Sequence, residues 1–186
     1  ILTIGTIGDI VELKGENRVF VKRGLRSIMN SDRAGIEALV QSSGLAGKNI
    51  SAGNVSFTLV PRINAVGRLG LSEKSVKLLL TEDFEEAEEI SVQLCDDNAE
   101  RQQIEKDILD KIDLRIQQDP SLVLDKVIVI DGKDWHQGVI GIVASRIKET
   151  YGKPAIVISR NGIEAKASGR SVEGFPLSEA VFYCSD

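Results

Sequence analysis

The sequence has few of the residues that build disulfide frameworks, metal clusters or membrane spans. Its 186 residues include two cysteines and one histidine, and Cys95 and Cys184 have neither the density of a disulfide scaffold nor the spacing of a zinc site. The longest apolar run, at residues 139–144, is far shorter than the ~20 residues that span a bilayer. No basic start leads into an apolar stretch, as it would in a secretory signal. These absences favour a protein of the reducing cytoplasm that has no membrane partner.

Both ends of the chain lie in apolar segments. The chain opens with Ile1, Leu2, Thr3 and Ile4, a run that predicts a buried strand, and no initiating methionine precedes it. It stops just after an apolar helical stretch has begun near residue 176. Because an exposed apolar face is costly, we expect this sequence to be an internal segment of a longer protein.

The charge is unevenly distributed along the chain. Acidic residues outnumber basic ones by 28 to 23, which argues at first against a nucleic-acid partner. Residues 82–113, however, hold 13 acids and 3 bases, whereas residues 14–77 hold 11 bases and 4 acids. A net negative charge therefore conceals a basic region that would attract a phosphate backbone. A solvated acidic helix would explain the same distribution without any ligand.

Hydrophobic periodicity and turn residues predict an α/β chain. Strands are predicted at residues 1–11, 18–22, 126–131, 154–159 and 164–168. Helices are predicted at residues 24–30, 35–42, 72–81, 84–118, 138–151 and from 176 onward. Residues 44–60 and 61–71 are predicted to be loops, with a short helix at 52–58 as an alternative. The apolar strands on either side of the helix at 138–151 predict a parallel pair covered on both faces.

The clearest predicted element is the long helix at residues 84–118. Its apolar stripe has a four-residue period at Ile104, Ile108, Ile112 and Ile116, with Asp83 as a predicted N-cap and Pro120 beyond its end. Asn98 and Arg101 stand where apolar residues would be expected, a pattern typical of a helix that bridges two bodies across a cleft. We therefore predict three parts, at residues 1–81, 82–120 and 121–186.

Two stretches of the first part carry groups suited to phosphate chemistry. Asp9 follows a predicted apolar strand, where open α/β sheets place their ligands, and hard divalent cations prefer carboxylates. A role for Asp9 in a simple turn or cap is the alternative. The loop predicted from Pro61 carries Arg62, Asn64 and Arg68, and the guanidinium fork matches phosphate oxygens. Ordinary surface arginines would give the same pattern.

Two stretches of the third part carry similar groups. His136 and Gly138 stand just ahead of the predicted helix at 138–151, whose first free amides form an anion site; a structural histidine is the alternative. Further along, Ser168, Arg170 and Ser171 bring hydroxyls and a cation close together, which suits a phosphodiester but also a capped turn. The histidine has no nucleophile beside it in the sequence, so a Ser-His-Asp triad is not predicted.

In this order and spacing, the four stretches resemble the RecJ family of single-strand DNA exonucleases in the Asp-His-His (DHH) phosphoesterase superfamily. Gly5-Thr6-Ile7-Gly8-Asp9 is similar to the family's fourth phosphoesterase motif, and Pro61-Arg62-Ile63-Asn64-Ala65-Val66-Gly67-Arg68 to its Pro-Arg-(Ile/Leu)-Asn-Ala-Ala-Gly-Arg signature. The bridging helix matches at Asn98, Arg101, Ile104 and Glu105. Residues 135–146 and 166–171 resemble the DNA-facing half of the DHH-associated domain. Gly8 replaces the usual alanine, Ala167 replaces the usual glycine, and the family's Asp-x-Asp and Asp-His-His motifs do not occur in this chain.

The resemblance implies the C-terminal part of a DHH α/β domain (1–81), a long connecting helix (82–120) and the first half of a DHH-associated domain (121–186). It implies a 5′-to-3′ exonuclease of single-stranded DNA that works in repair and recombination with two Mn²⁺ or Mg²⁺ ions. Asp9 would be a metal ligand, with the other ligands outside this chain, so the chain alone is expected to bind no metal and to be inactive. The implied protein partners are a single-strand-binding protein and a helicase. The residues expected to contact DNA on the two sides of a groove are Arg62, Asn64, Arg68 and Arg101 on one side and His136, Gly138, Ser168, Arg170 and Ser171 on the other.

Two other functions fit the same residues. One is a DHH phosphoesterase that acts on short oligonucleotides or cyclic dinucleotides, which a comparison of turnover on a long strand and on a dinucleotide would reveal. The other is a non-catalytic scaffold that binds DNA or a replication partner. Absence of the Asp-x-Asp and Asp-His-His motifs from the parent gene would favour the scaffold.

Overall fold

A computed structural model describes residues 1–70 and 72–184 of the chain. The chain divides into two compact units, Ile1–Arg101 and Gln102–Asp186. Its mixture of helices with a three-stranded sheet confirms the predicted α/β class. The predicted loop at 61–71 and the predicted third part at 121–186 include Leu71, Ser185 and Asp186, which lie outside the described residues.

The described residues of the first unit form helices and connecting turns, without a strand. The α-helices begin with α1 (Leu2–Gly8), α2 (Gly15–Met29), α3 (Ala34–Ser42) and the single turn α4 (Ala52–Asn54). A π-helix (Val55–Leu59) follows and leads directly into α5 (Val60–Arg68) and then α6 (Glu73–Leu80). The core includes Leu39, Val55, Leu59, Val66, Leu78 and Leu94.

The strand predictions at 1–11 and 18–22 are wrong, because helices occupy both segments. In α1 the buried residues are Thr3, Ile4 and Ile7, a helical spacing that a short run rich in Ile and Thr does not distinguish from a strand. In α2 the buried residues Val21 and Ile28 lie two helical turns apart. The helix predicted at 24–30 is the second half of α2, and the predicted helices at 35–42 and 72–81 correspond to α3 and α6.

One helix runs from the first unit into the second. This helix, α7 (Phe84–Gln118), has the predicted bounds. The Asp83 carboxylate accepts hydrogen bonds from the amides of Glu85 and Glu86 at 2.9 and 3.3 Å, and it therefore caps the first turn as expected. A 3₁₀ turn, Pro120–Val123, follows the helix.

The second unit is a three-stranded sheet with helices. It contains β1 (Ile128–Lys133), α8 (Ile140–Tyr151), β2 (Ala155–Asn161), β3 (Glu164–Arg170) and α9 (Leu177–Tyr183). The order is β1-β2-β3, with β1 parallel to β2 and β3 antiparallel to β2. The predicted parallel pair is thus confirmed, with α8 as its crossover. The core is formed by Ile108, Ile112, Ile128, Ile130, Val139, Ile140, Val143, Ala144 and Val157, among others.

Polar contacts close the ends of this unit. The Asp131 carboxylate on β1 accepts from Arg160 Nε on β2 at 2.5 Å and lies 3.5 Å from Arg115 Nη2 on α7. Lys153 Nζ donates to the carbonyl oxygens of Val123, Leu124 and Asp125 at 2.7, 3.1 and 3.0 Å. These contacts connect α7 and β2 to β1, and Lys153 to the turn at residues 123–125. They stabilise the ends of the strands.

Candidate nucleic-acid interface

The first turn of α8 lies against the end of β3. Gly141 is so close to β3 that a Cβ added there would lie 3.0 Å from Ser168 Oγ and 3.1 Å from Arg170 Nη2. Ser168 and Arg170 are two residues apart on one strand, so both side chains point to the same face of the sheet. The structure therefore brings a guanidinium, a hydroxyl and a helix beginning together in one place.

Contacts within β3 hold the Arg170 side chain at this position. Its Nη1 donates to the Gly169 carbonyl oxygen at 2.7 Å and lies 3.3 Å from Ser168 Oγ. Arg170 is exposed and Ser168 is half-buried. A guanidinium has five N–H donors in a fixed fork, so these two contacts leave donors for an anion. Hydrogen bonds from a cation to phosphate oxygens are among the stronger ones in proteins.

His136 and Gly138 stand at the beginning of α8, as predicted, although the helix begins at Ile140 rather than at 138. The Gly138 amide donates to His136 Nδ1 at 3.2 Å, and the His136 carbonyl oxygen accepts from the Val139 and Ile140 amides at 2.9 and 3.2 Å. With Nδ1 as an acceptor, the neutral ring carries its proton on Nε2. His136 is half-buried, and Nε2 is thus the ring atom that can donate to a ligand.

Buried contacts fix the loop that precedes His136. The Trp135 side chain is 6% exposed, and Ser159 Oγ donates to the Trp135 carbonyl oxygen at 2.5 Å. Gly132 is so near the Trp135 ring that a Cβ there would lie 2.0 Å from Cε2. The loop from β1 to α8 is therefore rigid where it presents the histidine.

Ser171 and Ala167 have roles different from those of Ser168 and Arg170. Ser171 Oγ donates to the Phe175 carbonyl oxygen at 2.6 Å and lies 3.3 Å from that of Val172, so this hydroxyl closes the turn after β3. Ala167 is a strand residue rather than a loop residue. Its side chain points to the face opposite Ser168, so its methyl group does not enter the cluster around Gly141.

The prediction of a loop is wrong for residues 61–68, because α5 places Arg62, Asn64 and Arg68 on a helix. Pro61 indicates a loop when it is taken alone, but it falls in the first turn of α5, directly after the π-helix. Asn64 and Arg68 lie one turn apart and are both exposed. They form a polar face suited to a strand backbone.

Arg62 points in a different direction. Its Nη1 donates to the Thr58 carbonyl oxygen at 2.6 Å, and its Nε lies 3.2 Å from Cys95 Sγ on α7. Thr58 belongs to the π-helix before α5, and π-helical turns are frequent at functional sites. This arginine therefore ties the start of α5 to α7.

Asn98 and Arg101 are buried, at 5% and 9% exposure. Arg101 Nη2 donates to Asn98 Oδ1 at 3.2 Å. Both residues were predicted to line a cleft because they interrupt the apolar stripe of α7. The structure shows that they form a buried polar pair one helical turn apart.

Asp9 is the C-cap of α1 and not a strand-end residue, because the segment before it is helical. The Val11 amide bonds to the Thr6 carbonyl oxygen and the Ile10 amide to that of Ile7, both at 3.2 Å, which is the Schellman pattern. The pattern requires a positive φ after Asp9, and Ile10 adopts one, at 55°. A β-branched residue is strained there. The turn therefore holds an exposed carboxylate on a constrained backbone.

Asp9 alone does not make a metal centre. Among residues 1–70 and 72–184, no group of three or more His, Cys, Asp and Glu side chains is placed to hold a metal ion. Mg²⁺ demands near-octahedral coordination by oxygen ligands. The described residues by themselves do not fit a Mn²⁺ or Mg²⁺ site, so no catalytic step through a metal ion is derived from them.

Gly141 is the residue of this interface that the sequence analysis missed. It lies on the buried face of α8 with Ile140, Val143, Ala144 and Ile147, and one signal pointed to it: a glycine in the first turn where a better helix former would be expected. Separately, no helix among the described residues combines the length and the apolar character that crossing a membrane requires.

Residues 124–185 match the family model described as the DHHA1 domain. The single-stranded-DNA-specific exonuclease RecJ of Bacillus subtilis is 37% identical over 187 aligned residues, 98% of this chain and 23% of that protein. The RecJ of Thermus thermophilus is 39% identical, over 98% of this chain and 26% of that protein. The chain therefore spans about a quarter of the length of these relatives.

A solved structure agrees with the sequence comparison. The crystal structure of RecJ in complex with Mn²⁺ from Thermus thermophilus matches with a TM-score of 0.86 and 39% identity, covering 99% of this chain and 26% of that one.

Proposed function

Because this chain belongs to the RecJ family, we propose that its protein is a single-strand-specific DNA exonuclease. The proposed reaction is hydrolysis of phosphodiester bonds from the 5′ end of a strand, with Mn²⁺ or Mg²⁺, in repair and recombination. The relatives are named as exonucleases of single-stranded DNA, and this chain corresponds to about a quarter of each. The function of the whole protein is therefore our proposal.

The contact of Gly141 with Ser168 and Arg170 carries the proposal. With glycine at position 141, the Arg170 and Ser168 side chains lie against the first turn of α8 without crowding, since an added Cβ would lie only 3.1 and 3.0 Å from them. A phosphate placed there would accept from the guanidinium, from the Ser168 hydroxyl and from His136 Nε2. All these groups are donors, as recognition of a phosphate oxygen requires. We assign the task of holding the strand to this cluster.

On the first unit, we propose Asn64 and Arg68 as contacts to the strand backbone. Both are exposed on one face of α5. Arg62 and Arg101 remain proposed strand contacts, and their bonds to Thr58 and Asn98 hold them in place. On the second unit, Gly138 and Ser171 complete the proposed set.

Asp9 remains our proposed carboxylate ligand for a divalent ion. Such ions in phosphodiesterases activate water and stabilise the leaving oxygen. One carboxylate does not hold them, so the contribution that we derive for this chain is binding and positioning of the strand. We also propose the boundaries 1–81, 82–120 and 121–186 for its three parts.

The test uses the protein expressed from its complete gene, with Mn²⁺ or Mg²⁺, on a labelled DNA strand and on the same strand in a blunt duplex. We expect shortening of the free strand from its 5′ end and little change in the duplex. Endonucleolytic fragments, or equal attack on both substrates, would contradict the proposal. Faster turnover of a dinucleotide than of a long strand would indicate the phosphoesterase of short oligonucleotides instead.

A second candidate is the non-catalytic scaffold, which absence of the Asp-x-Asp and Asp-His-His motifs from the parent gene would favour. A scaffold would bind the free DNA strand as tightly as a nuclease does. It would leave the length of the strand unchanged in the presence of Mn²⁺ or Mg²⁺. The same assay therefore separates the two functions.

A further inference from the structure

The exposed side of α2 carries four basic residues that the proposed function does not use: Arg18, Lys22, Arg23 and Arg26. All four are exposed, and Glu16 is the one acidic residue of the helix. Arg18, Lys22 and Arg26 follow one another at intervals of four residues, so their side chains form a row along the helix. The row is a local positive charge on a chain whose net charge is −5.

These four side chains are not neutralised by neighbours. Within residues 1–70 and 72–184, none of them forms a salt bridge or donates a side-chain hydrogen bond. By contrast, Lys14 pairs with Glu12, Lys74 with Asp97 and Lys77 with Glu86. A row of unpaired cations repels itself and gains from a polyanion that binds along it.

A cavity of about 490 Å³ opens at the C-terminal end of this row, and Ile1, the first residue of the sequence, lines it together with the apolar residues Ile28 and Ile36. Arg26 belongs both to the row and to the cavity lining, and Arg33 adds a second guanidinium. Ser27, Asn30 and Ser31 add neutral polar groups, and Asp32 is the one acidic residue of the lining. Two arginines together with hydroxyl and amide groups suit phosphate oxygens.

The floor of this cavity is rigid. Gly24 lies so close to α1 that a Cβ added there would overlap Thr3 Oγ1, at 1.7 Å. Thr3 Oγ1 in turn donates to the Phe20 carbonyl oxygen of α2 at 3.2 Å. Helices α1 and α2 are thus tightly packed against each other beneath the cavity, and Arg26 lies on the surface of this packed pair.

We propose that the row Arg18–Lys22–Arg26, together with the cavity formed by Arg26 and Arg33, is a second binding surface for the phosphate backbone of a single strand. Four residues of helix rise about 6 Å, a spacing similar to that of successive phosphates in an extended strand. Val19 is 48% exposed between these cations and offers apolar contact to a base. The surface binds the chain of phosphates without reading its sequence.

The identity of this ligand rests on the proposed function, whereas the cationic surface itself does not.

The test measures binding of labelled oligodeoxythymidylate to the protein expressed from its complete gene, in EDTA so that no strand is degraded, across a series of salt concentrations. The variant is Lys22→Gln with Arg26→Gln. Its matched control is Lys106→Gln with Lys111→Gln, which removes the same charge from exposed positions of α7. Lys22→Arg with Arg26→Lys keeps the charge, and circular dichroism checks that all variants are folded.

We expect affinity to fall on the order of tenfold at low salt for the α2 variant, and the slope of log K against log salt to decrease by about 1.4, since two phosphate contacts are lost. The α7 control and the charge-preserving variant should bind like the unaltered protein. An unaltered slope in the α2 variant would overturn the inference, even if the unaltered protein degrades single strands and the proposed function holds.

Two further outcomes would also overturn it. If an acidic peptide of matched charge binds the unaltered protein as tightly as the oligonucleotide and the α2 variant loses that binding, the surface serves a protein partner. If the unaltered protein neither binds nor degrades single strands, the proposed function fails as well.

Discussion

Arg170 and Gly141 are in contact across the interface of β3 with α8: the guanidinium Nη2 lies 3.1 Å from the point that a Cβ on Gly141 would occupy. This relationship links a strand end to a helix beginning and depends on the absence of a side chain at one position. It explains how an exposed arginine side chain can lie against the first turn of α8.

Replacing Arg170 by alanine should weaken binding of single-stranded DNA by about 1–3 kcal/mol, since a charge-assisted contact to phosphate is lost. This is roughly a 5- to 150-fold rise in the dissociation constant, measured by fluorescence anisotropy without divalent metal. Lys133→Ala, which removes one charge from the exposed end of β1, should have a smaller effect. An unaltered dissociation constant for Arg170→Ala would remove Arg170 from the interface.

Gly141→Ala should separate stability from binding. Alanine is favoured over glycine inside a helix by about 1 kcal/mol, so α8 should lose little stability or gain some. The new methyl group would crowd Ser168 Oγ and Arg170 Nη2, and the flexible guanidinium would move away. We expect an unaltered or higher melting temperature together with weaker binding of single-stranded DNA. If binding is unaltered as well, the position of Arg170 beside Gly141 does not matter for the strand.

Local patterns in the sequence were sufficient to predict the second half of the chain. The stripe from Ile104 to Ile116 and the cap at Asp83 predicted α7 with its observed bounds. The parallel pair of β1 and β2 also followed from local pattern, because two short apolar runs on either side of a helix have few other arrangements.

The first unit could not be predicted in the same way. Short segments such as α1 are too brief for a helical period to be distinguished from strand alternation, and their helical form depends on packing between elements. Gly24 against Thr3 is one such contact. Pro61 also has two interpretations, as a loop residue or as a first-turn residue, and only the preceding π-helix decides between them.

The candidate site was predictable as a set of residues but not as an arrangement. Ser168 and Arg170 could be identified from their residue types alone. That Gly141 lies beside them depends on the antiparallel register of β3 with β2 and on the packing of α8, and both of these are long-range features.

Gly132→Ala should strongly destabilise the second unit. A Cβ on Gly132 would lie 2.0 Å from Trp135 Cε2, so the buried ring must move from its place, at a cost of about 1–3 kcal/mol by comparison with other overpacked cores. Trp135 is the one tryptophan of the sequence, and its fluorescence reports the change directly. Gly5→Ala, with no atom within 4 Å of the added group, is the matched control. A normal emission spectrum and melting temperature in Gly132→Ala would contradict the close packing of Gly132 against the Trp135 ring.

The 186-residue chain, purified alone and supplied with Mn²⁺ or Mg²⁺, should leave single-stranded DNA intact. The described residues do not assemble three metal ligands, and Asp9 alone does not hold two cations. The measurement is strand length on a denaturing gel, with the protein from the complete gene as the positive control. Degradation by the chain alone that disappears in Asp9→Asn would show that this segment does build a metal site.

Glu86→Gln should lower stability at neutral pH but not in acid. The Glu86 carboxylate accepts hydrogen bonds from Lys77 Nζ at 2.6 Å and from Thr81 Oγ1 at 2.5 Å, and these bonds, that from Lys77 first, lower the pKa of Glu86 below its usual 4.5. The hydrogen bond to Glu86 raises the pKa of Lys77 above its usual 10.5.

A lowered carboxyl pKa contributes stability that is present above pH 4.5 and is lost as the pH falls through the lowered pKa. The raised pKa of Lys77 contributes stability that is present below pH 10.5 and is lost only as the pH rises through that raised pKa. The melting temperatures of the unaltered chain and Glu86→Gln should therefore differ at neutral pH and converge in acid. The difference should be small, because an exposed ion pair contributes little. Glu85→Gln, one residue away on the exposed side of α7, should show no such pH-dependent difference. The melting temperatures of the unaltered chain and Glu86→Gln could instead differ by the same amount in strong acid as at neutral pH. The Lys77–Glu86 contact would then not be the cause of the difference.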